Sequence, residues 1–211
     1  VLNTFIPGGT SIYELRDYSD ENVYFLTAEP GARSRLATRS APPDLSAPAT
    51  KFDAMAHLET DNAYRPLGAA DPWYFATLLG NDTGGGGVLA LTQSVALPGL
   101  ASGTDPAHVL VRLRGRTEDP ALFPDHRSKI TLLDSLSQQL TQNPDNGSFD
   151  GRTIYTHDFT STYPGSGPVL TNPALVTIDA LAVPGSAVRN EFFPDFVEIG
   201  YKRNFQASGD A

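Results

Sequence analysis

The feature that most constrains this chain is a series of short segments in which apolar and polar residues alternate, each bounded by Gly, Pro, Asn or Asp. His108–Arg116 is the clearest case: Val109, Val111 and Leu113 fall on one side of an extended backbone and Arg112 and Arg114 on the other. A period of two with one dry and one wet face is the signature of an antiparallel strand packed on one side only. Phe52–Leu58, Val88–Leu97, Lys129–Leu133, Arg152–Phe159, Leu175–Leu181 and Phe196–Tyr201 are β-rich segments of the same kind. With 19 glycines and 17 prolines in 211 residues, turns are frequent enough to separate that many strands. The expected fold is therefore all-β, an antiparallel β-sandwich of jelly-roll or immunoglobulin-like strand order. Val109, Val111, Leu113, Val197, Ile199 and Tyr201 are expected to face its core.

Helical character is confined to one place. Asp71-Pro72 ahead of Trp73-Tyr-Phe-Ala-Thr-Leu-Leu79 offers an N-cap and a proline suited to the first helical position, which predicts one short helix over 72–79. Upstream, Val23–Thr27 and Ser34–Thr38 flank Pro30-Gly31 and read as a hairpin, and the proline-rich stretch Ala41–Ala49 reads as an exposed connection. This suggests residues 1–50 as a hairpin and connection packed on a β-sandwich domain of residues 51–211. Gly84–Gly87 reads as a flexible loop, because no Lys-Ser/Thr follows the glycines as a phosphate-cradling loop requires.

Charge narrows the partners. The formal net charge is −9, with 24 acidic and 15 basic side chains, which repels phosphate backbones and anionic headgroups. Nucleic acid and membrane insertion are not expected. No cysteine is present, which removes disulfides, thiolate nucleophiles and cysteine-based metal sites.

Three segments carry a family resemblance. Asp20-Glu-Asn-Val-Tyr-Phe-Leu-Thr27 with Pro30-Gly-Ala-Arg33, then Asp71-Pro-Trp-Tyr74, and finally Val197-Glu-Ile-Gly-Tyr-Lys-Arg-Asn-Phe205 resemble an accessory region of large secreted bacterial proteins with a gingipain-like cysteine peptidase domain. Val109–Gly115, Asp125-His126 and Phe149-Asp-Gly151 are similar to that region's strands and turns. The resemblance implies a jelly roll of the galactose-binding-like type, lying ahead of the peptidase in a secreted or cell-surface protein. Its partners would be neighbouring domains of the parent chain. The family's catalytic Cys and His belong to the peptidase domain, so nothing catalytic carries over to a chain without cysteine.

The residues themselves supply few chemical constellations. His57, His108, His126 and His157 show no paired metal-ligand spacing. Asp125-His126 with Ser128 is read as a loop Asp beside a partly exposed His, not a triad. Glu59 and Glu198 are the best-placed strand acids for glycosidase chemistry, but no cleft is legible around them. The chain is therefore expected to be non-catalytic, acting in domain packing or recognition, with a carbohydrate-binding module as the alternative.

Two candidate sites follow. Asp145, Asn146, Asp150 and Asp158 are hard oxygen donors near Gly147 and Gly151, a composition that suits a structural calcium, although Asp-Asn-Gly is equally a turn signature. No other cofactor is indicated. A glycan site would use Trp73 and Tyr74 as a stacking platform, with Asn81 and Asp82 as polar partners. Against that, aromatics opening a short helix usually pack inward, which places Trp73 in the core.

Overall fold

The computed structural model describes residues 49–66, 72–75, 77, 79–81, 89–140, 145–161, 163, 167–186 and 189–205. The expected hairpin at Pro30-Gly31, nearly all of the 41–49 connection, Asp71 and the Asp82–Gly87 loop lie outside these residues. The described residues fall within one compact unit, Ala47–Ala211.

Eleven strands are formed among them: β1 (Lys51–Glu59), β2 (Ala63–Tyr64), β3 (Trp73–Tyr74), β4 (Leu79–Asn81), β5 (Ala90–Val95), β6 (Ala107–Gly115), β7 (His126–Leu133), β8 (Asp145–Phe149), β9 (Ile154–Ser161), β10 (Ala174–Ala180) and β11 (Asn190–Asn204). One sheet runs β1-β11-β6-β9 with β4 also on β11, the other β5-β10-β7-β8, and β2-β3 form a separate ribbon. All pairings are antiparallel. Setting aside the short β2, β3 and β4, the eight long strands pair first with last, second with seventh, third with sixth and fourth with fifth. That nested order is a jelly roll.

The core lies between the two sheets. Val109, Val111, Leu113, Val197 and Ile199 are fully buried and Tyr201 nearly so, as their alternation predicts. They meet Ile130 and Leu132 of β7 and Val176 and Ile178 of β10 in one cluster. Tyr201 is amphipathic, and its hydroxyl donates to the Pro98 carbonyl at 3.0 Å, so its polar end is satisfied.

Three expectations are corrected. The segment 72–79 does not form a helix: β3 and β4 occupy it, and no helix is present among the described residues. Tertiary packing overrides the local start signal. Tyr74 is buried and stacks on Phe193 of β11 at 5.6 Å, and β4 pairs with Asn190–Phe192. An extended backbone delivers both contacts, and aromatic residues suit it. The Asp145-Asn146-Gly147 run is likewise not a turn but the first residues of β8, paired with β7. Asp125 and His126 are both buried, because β7 begins at His126 and its alternation carries residues 126, 128, 130 and 132 inward.

β11 runs 15 residues through the middle of its sheet and contains Pro194. A central strand tolerates proline only where the ladder is interrupted. The register on β6 shifts between Pro194 and Phe196, a bulge that leaves Asp195 unmatched. Asp195 there faces Arg112, Oδ2 to Nε 2.9 Å. No described helix is long and apolar enough to cross a membrane.

Candidate functional site

The β2–β3 ribbon carries the most exposed aromatic arrangement. Tyr64 and Trp73 stand directly opposite in the register, so both side chains leave the ribbon on the same side. Their ring centroids are 5.2 Å apart at 62°, an edge-to-face contact. Tyr64 is 53% exposed and Trp73 37%. Trp73 is therefore not a core residue, which corrects the expectation from the helix reading. Once the segment is a strand, successive side chains alternate, so Tyr74 goes inward and Trp73 goes out.

The ribbon is anchored from beneath. Ala63 and Tyr74 share its inner face and are buried, the Phe75 amide donates to the Pro194 carbonyl at 3.1 Å, and the Arg65 amide donates to the Pro72 carbonyl at 2.7 Å. Tyr64 was not legible as a site residue, because its only signal is the cross-strand pairing. Asn81 lies at the end of β4 opposite Asn190, and Asp82 falls outside the described residues.

The calcium candidates are dispersed. Asp145 begins β8 and accepts from His157 Nδ1 at 2.6 Å, while Asp158 on β9 meets His108 Nε2 at 2.6 Å. Asn146 points away from the sandwich interior beside Asp145, and Asp150 lies in the turn before Gly151. Burial, followed by the nearby carboxylates Asp125 and Glu118, moves the Asp150 carboxyl above its usual range. Among the described residues no group of three or more His, Cys, Asp or Glu side chains is arranged to hold a metal ion. The four candidates thus do not form one ligand set.

Two polar clusters that sequence spacing could not show are assembled by the sheets. On the outer face of the β1–β11 sheet, His57 lies opposite Glu198 and two residues from Glu59. Its Nδ1 is 3.0 Å from Glu198 Oε1 and its Nε2 is 3.0 Å from Glu59 Oε2. Burial by itself pulls the imidazole down, but the hydrogen bonds and charges of the two glutamates outweigh it and raise the group to about 9. The protonated ring lies between the two carboxylates and bonds both.

Between the sheets, Ser128 of β7, His157 of β9 and Asp145 of β8 form a chain. The Ser128 hydroxyl donates to His157 Nε2 at 2.7 Å, and Nδ1–H is directed at Asp145. Burial pulls the His157 imidazole below its ordinary value, opposed by Asp145, which favours the neutral ring. The order of groups is that of a Ser-His-Asp triad. However, Ser128 is fully buried, and its cross-strand partner on β8 is Gly147, whose missing side chain lets β9 pack close, since a Cβ there would fall 2.6 Å from His157 Cε1. With its hydroxyl enclosed between the sheets, the chain ties one sheet to the other. Ser128→Ala leaves the imidazole Nε2 unsatisfied and should cost about 1–2 kcal/mol in a denaturant titration. A midpoint equal to wild type would show that the bridge adds nothing.

No protein-family model matches the chain, and no curated protein matches it. Among solved structures it is similar to the CBM36-1 domain of a multidomain xylanase from the hindgut metagenome of Trinervitermes trinervoides. The identity is 8% over 75% of this chain and 99% of that one, with a TM-score of 0.33. It is also similar to an arabinose-bound MgGH51 α-L-arabinofuranosidase, at 14% identity over 69% of this chain and 26% of that one, TM-score 0.34. The enzymatically active domain of tailspike protein 4 of bacteriophage CBA120 gives 12% identity over 72% of this chain and 19% of that one, TM-score 0.29. The chain thus spans about a quarter and a fifth of the last two. Nothing among these similarities links it to gingipain-like proteins, and function is read below from the chain's own side chains.

Proposed function

We propose that this jelly roll is a non-catalytic carbohydrate-recognition module, with Tyr64 and Trp73 as the platform on which a sugar ring stacks. The exposed cross-strand pair on an anchored ribbon is the observation that carries this reading. A pyranose presents an apolar face of C–H groups, and two aromatic rings held rigidly by backbone pairing bind it at little conformational cost. The two buried polar clusters have no comparable access, which favours binding over turnover.

Trp73 is the only tryptophan of the chain, so its fluorescence reports on this surface alone. Emission should be red-shifted in the free protein and change on titration with the cognate oligosaccharide. Trp73→Ala and Tyr64→Ala should each abolish binding while shifting stability by no more than about 0.5 kcal/mol, as surface changes do. Undiminished glycan affinity in both variants would end the proposal.

A second reading, domain packing within a secreted bacterial gingipain-like peptidase, is supported by the segments quoted above from Asp20–Arg33, Asp71–Tyr74 and Val197–Phe205. It requires a Cys/His peptidase domain in the same polypeptide, which the sequence of the parent protein would test directly. The two readings are compatible, since an accessory domain can hold a glycan near a catalytic neighbour.

A further inference from the structure

We propose that the open edge of β9 is a homodimer interface, on which β9 of a second copy of this chain pairs antiparallel about a two-fold axis. β9 ends the sheet β1-β11-β6-β9, and no described strand pairs with the side of it that faces away from β6. The Gly115 amide donates to the Thr153 carbonyl at 3.0 Å, one step beyond the Arg114–Ile154 end of the β6–β9 register. Odd-numbered residues of β9 therefore bond β6, because the bonding direction alternates along an antiparallel strand. The amides and carbonyls of Ile154, Thr156, Asp158 and Thr160 point the other way, and all four side chains are exposed.

Proteins usually guard such an edge with lysine, proline, a bulge or a very short strand. β9 runs eight residues without Lys or Pro, and its register on β6 is unbroken. The other edge strands differ. β5 and β8 have six and five residues. On β1 the Phe205 amide donates to the Thr50 carbonyl, which by the same alternation puts the charged residues Lys51, Asp53 and Glu59 at the outward-bonding positions.

The occupant follows from the self-complementarity of β9. A two-fold axis at His157 sets Tyr155 opposite Phe159 of the second copy, Thr156 opposite Asp158 and Ile154 opposite Thr160, each pair occurring twice. All four outward-bonding residues of each copy then find a backbone partner. Tyr155 and Phe159 are half-buried against the core, and they meet as a non-hydrogen-bonded pair, in which side chains approach most closely. Asp158, whose carboxylate already meets His108, faces a hydroxyl and not a like charge. An axis at Asp158 would set two Asp158 carboxylates opposite each other, and an axis at Thr156 would part Tyr155 from Phe159. The contact uses one surface on both copies, as a closed two-fold dimer requires.

Sedimentation equilibrium of the 211-residue chain tests this, with circular dichroism to follow folding. Wild type should sediment as a dimer of 22.6 kDa subunits, and its melting temperature should rise with protein concentration, as mass action requires. Thr156→Asp sets like charges opposite each other at two places and should raise the dimer Kd roughly tenfold or more. Adding Asp158→Lys to Thr156→Asp turns both contacts into opposite-charge pairs and should restore association. Thr156→Pro removes an outward amide without touching a bond to β6, and should give a folded monomer. A wild-type monomer at roughly millimolar concentration overturns the proposal, since even a weak Kd would show there. So does a dimer that Thr156→Asp leaves unweakened, or a double variant with wild-type dichroism that does not regain the association lost in the single one. None of these residues belongs to the Tyr64–Trp73 ribbon, so the outcome is independent of the carbohydrate reading.

Discussion

Gly115→Ala should be the most damaging small substitution in the described chain. At the end of β6 a Cβ would lie 1.9 Å from the Gly151 carbonyl oxygen and 3.0 Å from His126 Nε2. The first obstacle is backbone, which cannot rotate away as a side-chain tip can. Gly151 is also committed: its φ is +56°, the left-handed region that favours glycine, and its amide donates to Asp125 Oδ1 at 2.7 Å. Asp125 in turn accepts the Asp119 amide at 2.6 Å, and His126 stacks on Phe149 at 4.7 Å. One methyl group therefore pushes on a buried network, not on a single neighbour. Overpacking ordinarily costs 1–3 kcal/mol, and with a backbone collision the loss should be about 3 kcal/mol or more. Equilibrium denaturation measures it, with Gly200→Ala as the milder comparison, since its Cβ would stand 3.3 Å from His108 Cβ. Equal midpoints for Gly115→Ala and wild type would refute the account.

His57→Ala is expected to cost about 2–3 kcal/mol near neutral pH. The change leaves Glu59 and Glu198, both nearly buried, facing each other without the cation between them. Removing one partner of a buried ionic group is typically worth 3–5 kcal/mol, and the partial exposure of the imidazole reduces it. The pH dependence has a definite sign. The folded value of about 9 lies above the ordinary 6.5, so the folded state binds the proton more tightly. The stabilisation is fully present below about pH 6.5 and is lost as pH rises through about 9. Wild type should weaken across that window, and His57→Ala should lack that decline. His157, held below its ordinary value, has little effect across most of that window; its own influence on stability sets in as pH falls below about 6.5 and continues down through its lower folded value. A wild-type profile that is flat from pH 6.5 to 9 would contradict the bracketed geometry.

The strand series was legible from residue pattern. Positions such as Val109, Val111 and Leu113 alternate strictly because one side of β6 faces the other sheet and one side faces outward. The segment 72–79 was misread because its cap and proline are local signals, whereas the β4 pairing with β11 and the burial of Tyr74 against Phe193 join residues more than a hundred positions apart. The candidate site followed the same division. Trp73 was identified as a glycan candidate, but its outward direction depended on strand alternation, and Tyr64 acquired meaning only when the ribbon set it beside Trp73.

Composition and periodicity alone determine that this chain is acidic, free of cysteine, all-β and divided into strands with one apolar face. Those properties are sums or short-range repeats, and they survive any arrangement of the strands. The nesting of first strand with last, the closure of Glu59 and Glu198 on His57, the enclosure of Ser128 between the sheets and the exposure of the Tyr64–Trp73 pair were decided only by tertiary structure. Each depends on strand register, and shifting a strand by one residue would turn its side chains to the opposite face.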